Sequence, residues 1–219
     1  NFEEEVYPQL VAQNKLFATM TEHQYYSVGS FERIKFTEEF FKPKRVVFLD
    51  RDGTINKRPA RACYIEKPED FVWLAGAIEA INILKKNGFL VIIITNQPGI
   101  ARGNLTEEML HCIHEKMRAD LLKERTEIDD IFYCPHNWDD GCFCRKPNPG
   151  MIFEAQKKYS LNLSECYLIG DDERDIAAGE AAGCICKMVD EKYTVLDVAK
   201  EIVSLEKKEK IHDYFKDTP

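Results

Sequence analysis

Acidic residues occur in closely spaced pairs at two places where an apolar segment of the chain ends. Asp50 and Asp52 follow RVVFL, and Asp171 and Asp175 lie in GDDERD at the end of ECYLIG. Carboxylates from two strand ends that converge on one point would repel each other unless a cation lay between them, and oxygen ligands of this kind suit Mg²⁺. Each pair alone also fits an ordinary Asp-Gly turn or a helix cap. Together the two pairs predict a magnesium site.

Sulfur and nitrogen ligands form a second group, within the segment CPHNWDDGCFC. Cys134 and His136 are two residues apart, as are Cys142 and Cys144, so each pair lies on one face of an extended chain. Two such pairs joined by the turn NWDDG can close a tetrahedral Zn²⁺ site, and four protein ligands leave no position open for a substrate. We therefore predict a structural zinc ion. The alternative is four side chains without a metal.

Two further polar residues stand beside these groups. Thr95 ends the apolar segment VIIIT, and Lys146 follows the cysteine cluster. Taken separately, the threonine would cap a loop and the lysine would be solvated. Asp50, Thr95, Cys134 and Asp171, however, each follow a predicted strand directly, and ligands bind open α/β sheets at the carboxyl ends of their strands. We expect one active site at that edge.

Strands and helices alternate from residue 44 onward. This spacing predicts right-handed βαβ units and a doubly wound parallel sheet covered on both faces, which is an α/β fold. Residues 1–43 differ in kind, with a helical start, the aromatic stretch HQYYSVGSF and a linker-like FFKPK. The sequence therefore divides into an appendage, residues 1–43, and a main domain, residues 44–219. The predicted strands are RVVFL, FLVIIIT, IDDIFYC, ECYLIG and CICKMV.

The composition and net charge limit which molecules the chain is expected to bind. The 219 residues are 44% hydrophobic, enough for a full core, and carry a net charge of −8. That charge argues against nucleic acid or an anionic membrane as a partner. The sequence has no apolar run of about 18 residues and no signal-peptide pattern at its start, so we expect a cytoplasmic protein.

Four parts of the sequence together match the motifs of a known superfamily. D-x-D-G-T at residues 50–54, the strand-end Thr95, Lys146 and G-D-x-x-x-D at residues 170–175 resemble the haloacid dehalogenase superfamily, and the match extends from residue 44 to about residue 190. The resemblance implies a Rossmann-like phosphatase domain. No large cap domain is expected, because the segments between the motifs are short.

The resemblance also implies roles for the motif residues. Asp50 would be the nucleophile that forms an aspartyl phosphate, and Asp52 would protonate the leaving group and then activate water. Mg²⁺ would be held by the Asp50 carboxylate, the Asp52 main-chain carbonyl and Asp171, while Thr95 and Lys146 stabilise the phosphoryl oxygens. The supporting residues, which would orient the lysine or metal-bound waters, are Asp172 and Asp175.

The metal-binding loop resembles two related families of cytosolic phosphatases. C-P-H followed by C-x-C-R-K-P is similar to the histidinol-phosphate phosphatases and the D-glycero-D-manno-heptose 1,7-bisphosphate 7-phosphatases. The segments N-P-G-M and T-N-Q-x-G-I-A-R-G favour the heptose family, whereas the short spacing, residues 137–141, is more usual in the histidinol-phosphate family. The resemblance implies a sugar phosphate as substrate, D-glycero-D-manno-heptose 1,7-bisphosphate hydrolysed at C7, with histidinol phosphate as the alternative.

Substrate selection should fall to residues 57–73 and the metal-binding loop, since no large cap is expected. Arg145 is a candidate for contact with a second phosphate or the sugar. Tyr64 fits a packed aromatic residue equally well. The full set of candidate substrate-binding residues is Asn96, Gln97, Arg102, Arg145 and Tyr64.

Residues 1–43 resemble the C-terminal end of sugar-1-phosphate nucleotidyltransferases, where a helix precedes a short strand and Y-x-x-G-x-x-E-R. That family has a metal-binding aspartate at the position of Ser27, so no transferase chemistry is expected. The chain could be the C-terminal part of a longer bifunctional protein, and removal of a C7 phosphate would precede nucleotide activation at C1 in nucleotide-heptose synthesis. A non-catalytic binding module is the alternative of another class, but it would usually have lost Asp50, Asp52 or Lys146.

Overall fold

A computed structural model describes residues 1–19, 28–42, 44–60 and 63–216, with the side chains of residues 39, 40 and 207–216 left aside. The chain divides into two compact units, Asn1–Lys42 and Pro43–Pro219. The first contains a π-helix, Phe2–Val6, and two α-helices, α1 (Tyr7–Ala12) and α2 (Phe31–Phe41). Helix α2 was not predicted, and it runs into the stretch expected to be a linker. Ser27 lies outside the described residues, so the resemblance to nucleotidyltransferases stays a prediction.

The second unit alternates strands and helices as the sequence predicts. Its strands are β1 (Val46–Leu49), β2 (Leu90–Asn96), β3 (Asp130–Cys134), β4 (Tyr167–Gly170) and β5 (Ile185–Met188). Its helices are α3 (Ala77–Lys86), α4 (Glu107–Lys123), α5 (Gly150–Tyr159), α6 (Glu173–Ala182) and α7 (Val195–Lys216). Short 3₁₀ turns occupy Pro68–Asp70 and Leu163–Glu165.

All five strands are parallel and lie in the order β3-β2-β1-β4-β5. This order confirms the doubly wound α/β fold. Strand β1 lies at the centre, between β2 and β4, so the residues that follow it meet the ends of both neighbours. Thr95 and Cys134 are part of their strands rather than just beyond them, since β2 ends at Asn96 and β3 at Cys134.

The core has two halves, one on each face of the sheet. Val47 and Leu49 point to the face covered by α3, α4 and α7, whereas Val46 and Phe48 point to the face covered by α5 and α6. Side chains alternate between faces along a strand, and both faces are buried, which explains why β1 reads as a continuous apolar run. All four residues have no exposed surface.

Within the described part of the chain, the segments between β1 and α3 and between β2 and α5 belong to the same compact unit as the sheet, so no separate cap domain is present. No helix in this part combines the length and apolar character needed to cross a membrane. Cys166 and Cys184 are buried free thiols, whereas Cys63 and Cys112 are exposed.

Candidate active site

The loop after β1 turns sharply at Gly53. Its φ of +109° is a conformation that glycine adopts without strain, and a Cβ atom there would lie 1.9 Å from Asp171 Oδ2. The main-chain N–H of Asp50 donates to Ile169 O at 2.9 Å, which ties this loop to β4. The turn at Gly53 brings the Asp50 segment against Asp171.

Lys146 lies between two buried carboxylates. Its Nζ is 2.5 Å from Asp50 Oδ1 and 2.6 Å from Asp175 Oδ1, and it also donates to Ile94 O at 2.9 Å. Burial opposes the charge on Lys146, but the two carboxylates raise its pKa above the ordinary value. Lys146 is thus a fixed ammonium group beside Asp50, with Asp175 as its second partner. Asp175 also accepts from the main-chain N–H of Asp172 at the start of α6.

The side chains that follow β2 hold these groups in place. Asn96 Nδ2 donates to Lys146 O at 3.1 Å, and Lys146 N donates back to Asn96 Oδ1 at 3.0 Å. Gln97 Nε2 donates to Thr95 Oγ1 at 2.8 Å and to Asp52 Oδ2 at 3.0 Å. Asn96 and Gln97 were expected to bind substrate; both line the cavity, but their amides are bonded to residues of the site.

Asp52 is held by an arginine that the sequence did not suggest. Arg51 is almost fully buried, and its Nε and Nη2 donate to Asp52 Oδ2 at 3.1 and 2.8 Å, while Asn56 Nδ2 donates to Oδ1 at 2.9 Å. Burial raises the pKa of Asp52, but Arg51 and the hydrogen bonds from Asn56 and Gln97 lower it below its ordinary value overall. This arrangement favours the ionised form.

Asp171 faces a second arginine absent from the predicted site. Arg58 Nη2 is 2.8 Å from Asp171 Oδ2, Nη1 is 3.6 Å from Asp172 Oδ2, and Nε donates to the main-chain oxygen of Asp52 at 3.3 Å. Asp172 also accepts two hydrogen bonds from the Arg174 guanidinium, at 2.8 and 2.9 Å. Of the two residues expected to orient the lysine or metal waters, Asp175 contacts Lys146, whereas Asp172 pairs with the arginines.

The carboxylates suit a divalent cation. Oxygens of Asp50, Asp171 and Asp175 all lie within 4.8 Å of one another. Burial raises the pKa of Asp50 to about 7 although Lys146 opposes this shift, and burial likewise raises the pKa of Asp171 despite Arg58. Lys146 and Arg58 together carry one positive charge fewer than these three carboxylates, and hard oxygen donors are the ligands that Mg²⁺ prefers.

The predicted zinc ligands also converge. Cys134 Sγ lies 3.6 Å from His136 Nδ1, 3.6 Å from Cys142 Sγ and 3.3 Å from Cys144 Sγ, and His136 Nδ1 is 3.2 Å from Cys144 Sγ. Three sulfurs and one ring nitrogen within 4.8 Å of one another match the donor set of a structural zinc site. The cluster joins the end of β3 to the residue that precedes Arg145 and Lys146.

A cavity of about 390 Å³ opens in front of Asp50. Tyr64 and Arg145 line it; Arg145 also donates to His136 O at 3.2 Å, which links it to the cysteine cluster. Arg102 lies farther out, where it donates to Tyr64 Oη at 2.5 Å and to Asn137 Oδ1 at 2.7 and 2.9 Å. Tyr64 packs on Gly99, where an added Cβ would meet its ring at 3.0 Å.

The edge of the parallel sheet carries the buried carboxylate of Asp50, a second carboxylate two residues further on, the lysine Lys146 and an acidic cluster. This combination defines a haloacid dehalogenase-like phosphatase. Residues 45–213 match the family model described as polynucleotide kinase 3 phosphatase. The chain therefore belongs to this family of phosphoric monoester hydrolases.

Individual relatives are similar over most of the second unit. The chain is 44% identical over 147 residues to the D-glycero-alpha-D-manno-heptose-1,7-bisphosphate 7-phosphatase of Photorhabdus laumondii. The match covers 64% of this chain and 78% of that protein. The chain is 38% identical over 140 residues to the beta-heptose enzyme of Bordetella bronchiseptica, covering 64% of this chain and 77% of that protein. The crystal structure of a B. bronchiseptica D,D-heptose 1,7-bisphosphate phosphatase, complexed with magnesium and phosphate, matches with a TM-score of 0.69 and 32% identity over 73% of this chain and 98% of that one.

Proposed function

We propose that this chain is a Mg²⁺-dependent phosphatase that removes the C7 phosphate of D-glycero-D-manno-heptose 1,7-bisphosphate through an aspartyl phosphate on Asp50. The observation that carries the proposal is the position of Asp50 on the wall of the cavity, 2.5 Å from the Lys146 ammonium. The names of the curated relatives support the substrate, and the acidic net charge of −8 disfavours the polynucleotide in the family description.

The first half-reaction breaks the bond between phosphorus and the sugar oxygen. An Asp50 oxygen attacks phosphorus, while Lys146 and the hydroxyl of Thr95 stabilise the phosphoryl oxygens. The Asp50 carboxylate, the Asp52 carbonyl and Asp171 would hold Mg²⁺, which would supply the charge neutralisation that a carboxylate needs in order to approach a phosphate dianion. Asp52 gives its proton to the departing sugar oxygen.

The second half-reaction releases phosphate. Asp52, now ionised, takes a proton from water as the water oxygen attacks phosphorus, and the bond between phosphorus and Asp50 breaks. The hydrogen bonds from Arg51, Asn56 and Gln97 suit this step because they favour the ionised form of Asp52. The first step requires the protonated form of Asp52, which the contact with Arg51 opposes.

We assign zinc to the cysteine cluster as a structural ion. Cys134 ends β3 and Cys144 lies two residues before Lys146, so a metal bound there would fix the loop that carries the lysine. Arg145, tied to His136 O, would be held at the cavity wall to contact the distal phosphate or the sugar. Clustered cysteines that bind a metal rather than form disulfides are typical of a reducing compartment, which agrees with the expected cytoplasmic location.

Histidinol phosphate is the second candidate substrate. The observation in its favour is the short spacing between His136 and Cys142, residues 137–141. A panel of both heptose 1,7-bisphosphate anomers, histidinol phosphate and simple sugar phosphates separates the candidates. We expect the highest kcat/KM for a heptose bisphosphate, and a clear preference for histidinol phosphate would overturn the substrate assignment.

The mechanism is tested by Asp50→Asn and Asp52→Asn. Both variants should lose turnover with every phosphate monoester, while circular dichroism and zinc content stay those of the wild-type chain. Asp50→Asn should also fail to accumulate phosphorylated protein in acid-quenched reactions. Near-normal activity in Asp50→Asn would exclude the aspartyl phosphate at this residue.

A further inference from the structure

Arg58 contacts the oxygens to which the metal is assigned. Its guanidinium lies 2.8 Å from Asp171 Oδ2 and donates to Asp52 O at 3.3 Å. The side chain is 47% exposed and lines both the substrate cavity and a second cavity of about 550 Å³, which Asp171 also lines. It therefore has room to leave these oxygens.

Asp172 already has a charged hydrogen-bond partner, so pairing with Asp172 does not explain the position of Arg58. Arg174 already gives Asp172 two hydrogen bonds, at 2.8 and 2.9 Å, whereas Arg58 approaches this carboxylate only to 3.6 Å. The shortest contact of Arg58 is to Asp171. Its guanidinium is thus directed at the metal-binding carboxylate.

Charge balance indicates that Arg58 and Mg²⁺ exclude each other. The oxygens of Asp50, Asp171 and Asp175 cluster within 4.8 Å, and Lys146 neutralises one of the three carboxylates. A divalent cation would neutralise the other two. A guanidinium that stayed on Asp171 would then be a surplus cation within a few Å of the metal, and its Nη2 would share an oxygen with it.

We propose that Arg58 competes with Mg²⁺ for Asp171 and the Asp52 carbonyl, and so sets the affinity of the enzyme for its metal. The inference rests on the metal site of the proposed function. Arg58 is a positioning residue that acts through the metal ligands. It holds Asp171 and the loop after β1 together until the metal displaces it into the cavity.

Direct measurement of metal binding tests the competition. Mg²⁺ is titrated into the full chain by isothermal calorimetry for the wild type, Arg58→Gln and, as a matched control, Lys57→Gln, which removes the same charge from the adjacent exposed position. Arg58→Gln should tighten the Kd for Mg²⁺ about fivefold, or about 1 kcal/mol, the scale of a partly exposed ion pair. Lys57→Gln should change it less than about twofold.

A purely structural role predicts the opposite sign, because a loosened loop would bind Mg²⁺ more weakly. An unchanged or weaker affinity in Arg58→Gln overturns the inference. Arg58→Lys, which keeps the charge but loses the planar fork, covers the case in which the glutamine variant folds poorly; its affinity should be tighter than that of the wild type, and an equal or weaker one counts against the competition.

Asp171→Asn separates this inference from the proposed function. Loss of Mg²⁺ binding in Asp171→Asn, together with unchanged binding in the Arg58 variants, would overturn the competition and leave the metal site standing. Unchanged Mg²⁺ binding in Asp171→Asn would overturn the metal site itself, and the competition with it.

Discussion

Asp50 is a buried carboxyl group in a crowded acidic cluster. Burial raises its pKa from 3.8 to about 7, with Lys146 opposing the shift and Asp175 adding to it. Between these two values the folded chain binds a proton that the unfolded chain has lost. The free energy of unfolding therefore falls as the pH rises through 7, and the full cost of the ionised carboxylate is present above that pH.

The size of the pKa shift of Asp50 limits how much Asp50→Asn can raise the free energy of unfolding. The pKa change from 3.8 to about 7 corresponds to an upper limit of about 4 kcal/mol, at 1.36 kcal/mol per unit. Asparagine keeps the volume of the side chain and removes the charge. Lys146 loses one carboxylate partner but keeps Asp175 at 2.6 Å. The loss of that partner offsets part of the stabilisation. We expect Asp50→Asn to raise the free energy of unfolding by about 1 to 2 kcal/mol at pH 8 while it removes turnover.

Urea unfolding in magnesium-free buffer at pH 8 and pH 5 measures the difference. At pH 5 the folded wild type is already protonated at Asp50, so the advantage of the variant should shrink. Added Mg²⁺ should stabilise the wild type more than the variant, because the variant has lost a ligand. A variant less stable than the wild type at pH 8, or an advantage that grows as the pH falls, would refute the reasoning.

Further predictions concern the metals, the substrate and a buried histidine. Mild chelation followed by Mg²⁺ should restore activity with about one zinc per chain retained, and metal analysis without zinc would contradict the structural ion. Arg145→Ala should weaken kcat/KM for a sugar bisphosphate by roughly 1.5 to 3 kcal/mol and barely change an aryl phosphate; equal losses would mean that Arg145 serves the reacting phosphate or the fold. Burial lowers the pKa of His114 from 6.5 to about 3, so its protonation in the unfolded chain should cost the fold about 1.4 kcal/mol at pH 5.5 relative to pH 8. In urea unfolding, the His114→Leu variant should lose this pH dependence of the free energy of unfolding. If the variant keeps the same change between pH 5.5 and pH 8 as the wild type, His114 is not its cause.

Much of the second unit could be predicted because its apolar segments alternate with helical patterns. Strands β1 and β4 lie within the predicted segments RVVFL and ECYLIG. Helix α2 was missed because its sequence, FERIKFTEEFF, is rich in aromatic residues and carries little amphipathic pattern, with Phe31 and Phe36 both largely exposed. Local preference gives little guidance where a segment buries so little surface.

The acidic and metal-binding residues could be predicted because each follows or ends a strand, and parallel strands end at a common edge. The arginines could not. Arg51 stands between two aspartates, and nothing in its neighbours indicates that it is buried against Asp52. Arg58 lies in residues 57–73, the segment assigned to substrate selection, and its partner Asp171 lies far along the chain. Contacts of this kind depend on how the loop after β1 lies over β4, which spacing alone does not specify.

The paired hydrogen bonds between Asn96 and Lys146 have a consequence for the cooperativity of the fold. An asparagine side chain carries the same amide group as a peptide unit, so the two bonds act as one more rung of a β-ladder beyond the end of β2. Lys146 lies in a turn, yet its N–H is bonded to the last residue of a buried strand. Its amide proton should therefore exchange with solvent as slowly as those of the sheet, since it opens only when the end of β2 does. We therefore expect the lysine to open only together with the end of β2, although it lies in a turn.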